Sequence, residues 1–200
     1  MKRSFTRPAF FLCIFLVQVN VFGQSKYPLK IAVLNEATAI PFNSFFNKPI
    51  HPGILFGTEL KYKEKEHFRL YQSINVGYIW HRWLYHGFFI NTELGYDYKL
   101  NWGINLKSQL GIGYMHNFST QKEYRFSAGR YKASADRGNS RLTSSLALGL
   151  GYRFHKKDIY SPEAFVLYQG WVEYPYSPGF IPIMPHLNIQ AGAKFYLPKK

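Results

Sequence analysis

Seven histidines and a scatter of isolated charges are the side chains of this 200-residue sequence that could do chemistry. The histidines are His51, His67, His81, His86, His116, His155 and His186. No two stand four residues apart, and the single cysteine, Cys13, lies far from all of them. A zinc-type ligand pair is therefore not visible, and neither metal nor cofactor is expected. Nucleophilic catalysis would need a hydroxyl beside a base. His116-Asn117-Phe118-Ser119 is the nearest local match, but a spacing of three puts the two side chains on opposite faces of an extended chain. Gly111-Ile112-Gly113 does not precede a helix and is no phosphate cradle. The charges Glu59, Lys61, Arg69, Glu93, Asp97, Lys107, Arg153, Glu173 and Lys194 form the more informative set, because each occupies the polar face of an alternating run.

Those runs are the elements that must position the charges. Phe68, Leu70, Gln72, Ile74, Val76, Tyr78 and Trp80 alternate with Arg69, Tyr71, Ser73, Asn75, Gly77 and Ile79. Period two over this length specifies a strand. The pattern repeats over Leu84–Tyr98, Trp102–Tyr114, Leu142–Phe154 and Leu187–Leu197, and more weakly over Tyr27–Thr38, Ile54–Tyr62 and Glu163–Tyr174. Eight strands suffice to close a small barrel. Aromatics at 19% and 16 glycines fit strands and tight turns, whereas 46% apolar and 18% charged residues exclude a disordered chain.

Alternation alone does not say which face is inside. The apolar faces of the five clear strands carry no Asp, Glu, Lys or Arg, and the polar faces are rich in Gly, Ala, Ser and Asn. A crowded lumen calls for small residues and paired charges, whereas a solvated exterior would carry more Lys and Glu. Apolar outward and polar inward is the pattern of a transmembrane barrel. The runs exceed the roughly 9–11 residues that a tilted spanning strand needs. Short connections at Lys63–Glu66, Lys99–Asn101 and His155–Ile159 alternate with longer ones at Pro41–Pro52, Ser119–Arg141 and Tyr176–Pro185. The tight His81–Trp83 connection breaks that alternation. Tyr96, Tyr98, Trp102, Tyr152 and Phe154 cluster near one set of strand ends, and Tyr78, Trp80, Trp83, Tyr114 and Phe118 near the other, as headgroup-level belts would. The histidines near the long-loop end are read as interfacial residues of such a wet belt.

With these features the chain resembles the small outer-membrane barrels of Gram-negative bacteria, the OmpA-transmembrane and OmpX-like class. The resemblance covers about Tyr27 to Leu197 and rests on pattern. Ala193-Lys194-Phe195-Tyr196-Leu197 looks like the aromatic-ended final strand that barrel-assembly machinery reads in that class. The class implies an all-β fold, an eight-stranded antiparallel up-and-down transmembrane barrel with its apolar face outward, located in the cell outer membrane. Partners implied are outer-membrane lipid and lipopolysaccharide, plus the assembly machinery during biogenesis. Barrels resembling this size class include lipid A deacylases, which use a His–Ser pair with an orienting acid; His86 with Ser108 or Ser144 is a further pairing to weigh.

Residues 1–23 read as a signal peptide. Lys2, Arg3 and Arg7 precede the apolar Phe10–Val17, and Val21-Phe22-Gly23 suits cleavage before Gln24. Residues 24–200 form the barrel domain, and loss of the leader lowers the net charge from +14 to +11. Much of the excess lies in one outward loop, where Lys122, Arg125, Arg130, Lys132, Arg137 and Arg141 face only Glu123 and Asp136. Arginine forks suit lipopolysaccharide phosphates. An exported chain without a recognition module is not expected to bind nucleic acid. The expected role is structural or surface interaction without catalysis. The alternatives are a lipid A-modifying acyl hydrolase and a periplasmic lipocalin-like binder with its faces reversed.

Overall fold

A computed structural model describes residues 26–40, 50–127, 129–155, 158–177 and 179–198. The proposed leader, 1–23, lies outside the described residues, as does most of the first long connection. In chain order the strands are β1 (Lys26–Ala37), β2 (Pro52–Glu64), β3 (Phe68–Trp80), β4 (Tyr85–Lys99) and β5 (Ile104–Ser119). There follow β6 (Glu123–Ser127), β7 (Arg130–Ser134), β8 (Asn139–Arg153), β9 (Glu163–Tyr174) and β10 (Met184–Pro198). Eight of them close a barrel in the order β1-β10-β9-β8-β5-β4-β3-β2, every pairing antiparallel. Closure through β1 and β10 leaves no barrel strand with an open edge. The fold is an all-β, up-and-down, eight-stranded antiparallel barrel, consistent with a membrane-spanning one.

The faces are assigned by burial. Leu110 on β5 is 61% exposed and Leu142 on β8 is 62%, whereas Glu93 and Gln190 are buried. Buried positions are mostly polar or charged, and the exposed ones include most of the large apolar side chains. This distribution excludes the reversed, lipocalin-like arrangement. Trp102, Tyr152 and Phe154 ring one end of the apolar band, and Trp80, Trp83 and Tyr114 the other, all exposed.

Connections at one end are short. At the other end the chain connects β1 to β2, β3 to β4, β5 to β8 and β9 to β10. From sequence, Ser119–Arg141 is a single loop, but the structure builds the β6–β7 hairpin inside it. That hairpin pairs only with itself and turns at Gly129, whose φ of +76° is in the left-handed region glycine enters without penalty.

Candidate functional site

Among the described residues the lumen is where titratable groups converge in number, and the barrel register brings them there. Arg69 pairs with Asp97 across β3–β4, and Asp97 with Lys107 across β4–β5. Glu163 on β9 pairs with Arg153 of β8 and with Lys194 of β10. Strands that alternate in polarity and stack in this register must put these charges at one level, on one face.

At that level the ions interlock. Lys107 Nζ lies 2.9 Å from Asp97 Oδ2 and 2.5 Å from Glu163 Oε1. Lys194 Nζ bridges Glu59 Oε2 at 3.2 Å and Glu163 Oε2 at 3.3 Å. Arg69 pairs with Glu59, and Arg153 lies 3.7 Å from Glu163. Tyr71, wholly buried, stands in the middle: its hydroxyl donates to Asp97 Oδ1 at 3.1 Å and accepts from Gln109 Nε2 at 2.8 Å. The ring fits only because its cross-strand partner is Gly95, where a Cβ would come 2.3 Å from Tyr71 Cζ. Isolated charges in such surroundings would each cost several kcal/mol, so pairing is a condition of folding.

A second level centres on Glu93. Its carboxylate accepts from Ser73, Asn75 and Gln169 at 2.8–3.1 Å, with Lys30 Nζ 3.8 Å away. A third level lies at the long-loop end. His186 stands between two carboxylates, Nδ1 2.7 Å from Glu36 Oε1 and Nε2 3.3 Å from Glu173 Oε1. Carboxylates accept only, so a ring protonated on both nitrogens satisfies both. Trp171 stacks on that ring at 4.1 Å. His51 and His81 stack on each other at 3.5 Å beside Glu36. Burial holds His81, in the turn after β3, below the usual imidazole range against the pull of the Glu36 carboxylate.

Of the charges singled out from sequence, Glu59, Arg69, Asp97, Lys107, Arg153 and Lys194 meet in the first level. Glu93 and Glu173 lie in the second and third. Lys61 does not reach the cluster. A register shift between Lys61 and Lys63 bends the chain at the mouth, where Lys61 sits one-third exposed and 3.3 Å from Glu64. Lys30, Glu36, Glu163 and His186 are lumen residues that the sequence pattern alone does not single out. Their signal is nonetheless present: each occupies the polar-face position of its strand.

His51, His81 and His186 are buried, unlike the wet belt residues expected from sequence. They fall on the inward side of the strand ends. His86 and His116 do sit on the outer face, His86 stacked on Phe118 and His116 meeting that ring edge-on. His116 meets Ser140 of β8 rather than Ser119: Ser140 Oγ is 3.4 Å from Nδ1 and 2.8 Å from Tyr114 Oη. Among the described residues no carboxylate is hydrogen-bonded to His116, so the orienting acid of a hydrolytic triad is not assembled there.

In the basic loop, Arg130 and Arg137 are exposed, and Lys122 is too. The side chains of Arg125 and Lys132 lie outside the described residues. Arg141 turns inward: its guanidinium donates to the Tyr176 carbonyl and lies 4.0 Å from Glu173 Oε2.

No family model matches the sequence, and no curated protein matches it. Among solved structures the barrel is similar to Neisserial surface protein A, with a TM-score of 0.53 at 9% identity, covering 86% of this chain and 97% of that one. Similarity to the outer membrane enzyme PagL has a TM-score of 0.47 at 12% identity, covering 86% and 99%. Similarity to Ail of Yersinia pestis has a TM-score of 0.40 at 14% identity, covering 85% and 97%. At these identities the likeness is one of fold.

Proposed function

We propose that the protein is an outer-membrane-embedded barrel, exported by a leader at residues 1–23, whose role is structural or one of surface interaction. The inverted burial carries this reading: a continuous apolar exterior between two aromatic rings surrounds a lumen packed with ion pairs. Water would not tolerate the first, and hydrocarbon supplies the driving force that a dry core supplies in a soluble protein. Interlocked ions make the lumen a plug that ties the strands together. The barrel's likeness to Neisserial surface protein A is in keeping with a surface role.

The protruding β6–β7 hairpin extends this reading. Arg130 of the hairpin and Lys122 and Arg137 beside it are exposed, and such cations would meet anionic lipopolysaccharide phosphates. Arg141 is already occupied at the rim and is left out of that contact set.

Fractionation and heat-modifiable gel migration test the location. The protein is expected in the outer membrane, migrating faster unheated than boiled. Recovery of a folded, detergent-free periplasmic protein overturns the reading. Neutralising Arg125, Arg130 and Arg137 together is expected to weaken binding to lipopolysaccharide and to flatten its salt dependence. Unchanged binding removes the lipopolysaccharide contact while leaving the barrel reading in place.

A further inference from the structure

The long-loop end of the lumen holds more ligand-type atoms than its hydrogen bonds use. Glu36 comes from the end of β1, His51 from just before β2, and His81 from the turn after β3. One donor atom from each lies within 4.8 Å of the others, and all three residues are buried. Two of the buried atoms have no hydrogen-bond partner: Glu36 Oε2 and His51 Nε2. Leaving such groups unpaired in a site closed to water is unfavourable.

Contacts around Glu36 and His51 orient those two residues as the outer contacts of a metal centre do. His51 Nδ1 donates to the Glu36 carbonyl at 3.1 Å, which leaves Nε2 with its lone pair free. His186 holds Glu36 through Oε1 and so leaves Oε2 turned to the two stacked rings, 3.8 Å from His81 Nε2. The His81 ring is set by the backbone N–H groups of Trp83 and Leu84, which donate to Nδ1 at 3.3 and 3.2 Å. In the metal-free ring Nε2 therefore carries the proton, and coordination there requires that proton to pass to Nδ1, the ring giving up its two backbone contacts as it moves.

We propose that Glu36, His51 and His81 bind one late first-row divalent cation of the zinc class, with His186 orienting Glu36. Two imidazole nitrogens and one carboxylate oxygen suit that class, and three protein ligands leave a fourth position for water. The donor atoms must close to about 3.3 Å from one another around a tetrahedral ion, given metal–ligand bonds of roughly 2.0–2.1 Å. Sliding the stacked rings past each other supplies this movement without displacing the strands. The bound ion would join the β1, β2 and β3 ends.

The test uses tag-free full-length mature protein, folded in detergent and stripped with chelator. Titration with Co2+, followed by visible absorption, is expected to show one equivalent bound and displaced by Zn2+. Glu36→Gln, His51→Ala and His81→Ala are each expected to weaken binding at least about 100-fold, and His186→Gln about 10- to 100-fold. His86→Ala and His116→Ala, on the outer face, are expected to leave it unchanged. Heat-modifiable migration establishes that each variant is folded. Cu2+ electron paramagnetic resonance on the unaltered protein is expected to show two coupled nitrogens, independently of any variant. The proposal is overturned if no cation binds stoichiometrically, if binding survives His51→Ala and His81→Ala, if it is lost with His86→Ala or His116→Ala, or if copper shows fewer than two nitrogens.

Discussion

Glu163→Gln tests the lumen network most directly, because it removes one charge and keeps the side chain's shape. Glu163 is buried and touches three cations: Lys107 at 2.5 Å, Lys194 at 3.3 Å and Arg153 at 3.7 Å. At an effective dielectric of about 20, each contact represents roughly 4–7 kcal/mol of gross attraction. The cost of dehydrating the carboxylate, several kcal/mol, is recovered on substitution. Lys107 keeps Asp97 and Lys194 keeps Glu59, while Arg153 loses the one carboxylate within 4 Å among the described residues. The expected net destabilisation is about 3–5 kcal/mol, the range for breaking a buried pair from one side. Equilibrium urea unfolding in lipid vesicles, read by tryptophan fluorescence, measures it. Adding Arg153→Met to Glu163→Gln should recover at least about 1 kcal/mol, because the stranded cation is then gone. A single variant within about 1 kcal/mol of the parent, or strict additivity in the pair, would refute the claim that these charges are coupled and dry.

Three further outcomes are expected. Gly95→Leu drives a side chain into the space of the buried Tyr71 ring, where even a Cβ would come 2.3 Å from Cζ, and should cost at least about 1–3 kcal/mol in the same unfolding assay. Leu110→Arg, mid-strand on the outer face, should cost about 2–4 kcal/mol in vesicles, whereas a water-exposed position would change by no more than about 0.5 kcal/mol. Replacing the β6–β7 hairpin with a short Gly/Ser turn should leave barrel stability within about 1 kcal/mol, because the hairpin pairs only with itself. Lipopolysaccharide binding should fall in the same variant.

Much of the barrel is legible in the chain because a strand's side-chain period is two and the two solvents of a membrane barrel differ so sharply. Leu106, Leu110 and Ile112 against Asn105, Lys107 and Gln109 state both the element and its faces. The hairpin is less legible: five-residue strands around one glycine give too few alternations to stand out in a polar loop.

The grouping of the lumen charges is another matter. A strand pattern says that Glu36, Glu59, Glu93 and Glu163 point inward, but not at what depth. Depth depends on stagger between strands, which closure of β1 on β10 sets for the whole barrel at once. That stagger separates Glu93 from the ion cluster of Glu59 and Glu163, and brings His186 within 2.7 Å of Glu36, 150 positions away along the chain. Local alternation, read with the residue types on each face, therefore carries the fold class, the inward and outward faces and the lipid-facing band. Only the closed barrel decides which charges neutralise each other, and which histidines share a carboxylate, because those contacts are made across strands whose relative heights no single strand encodes.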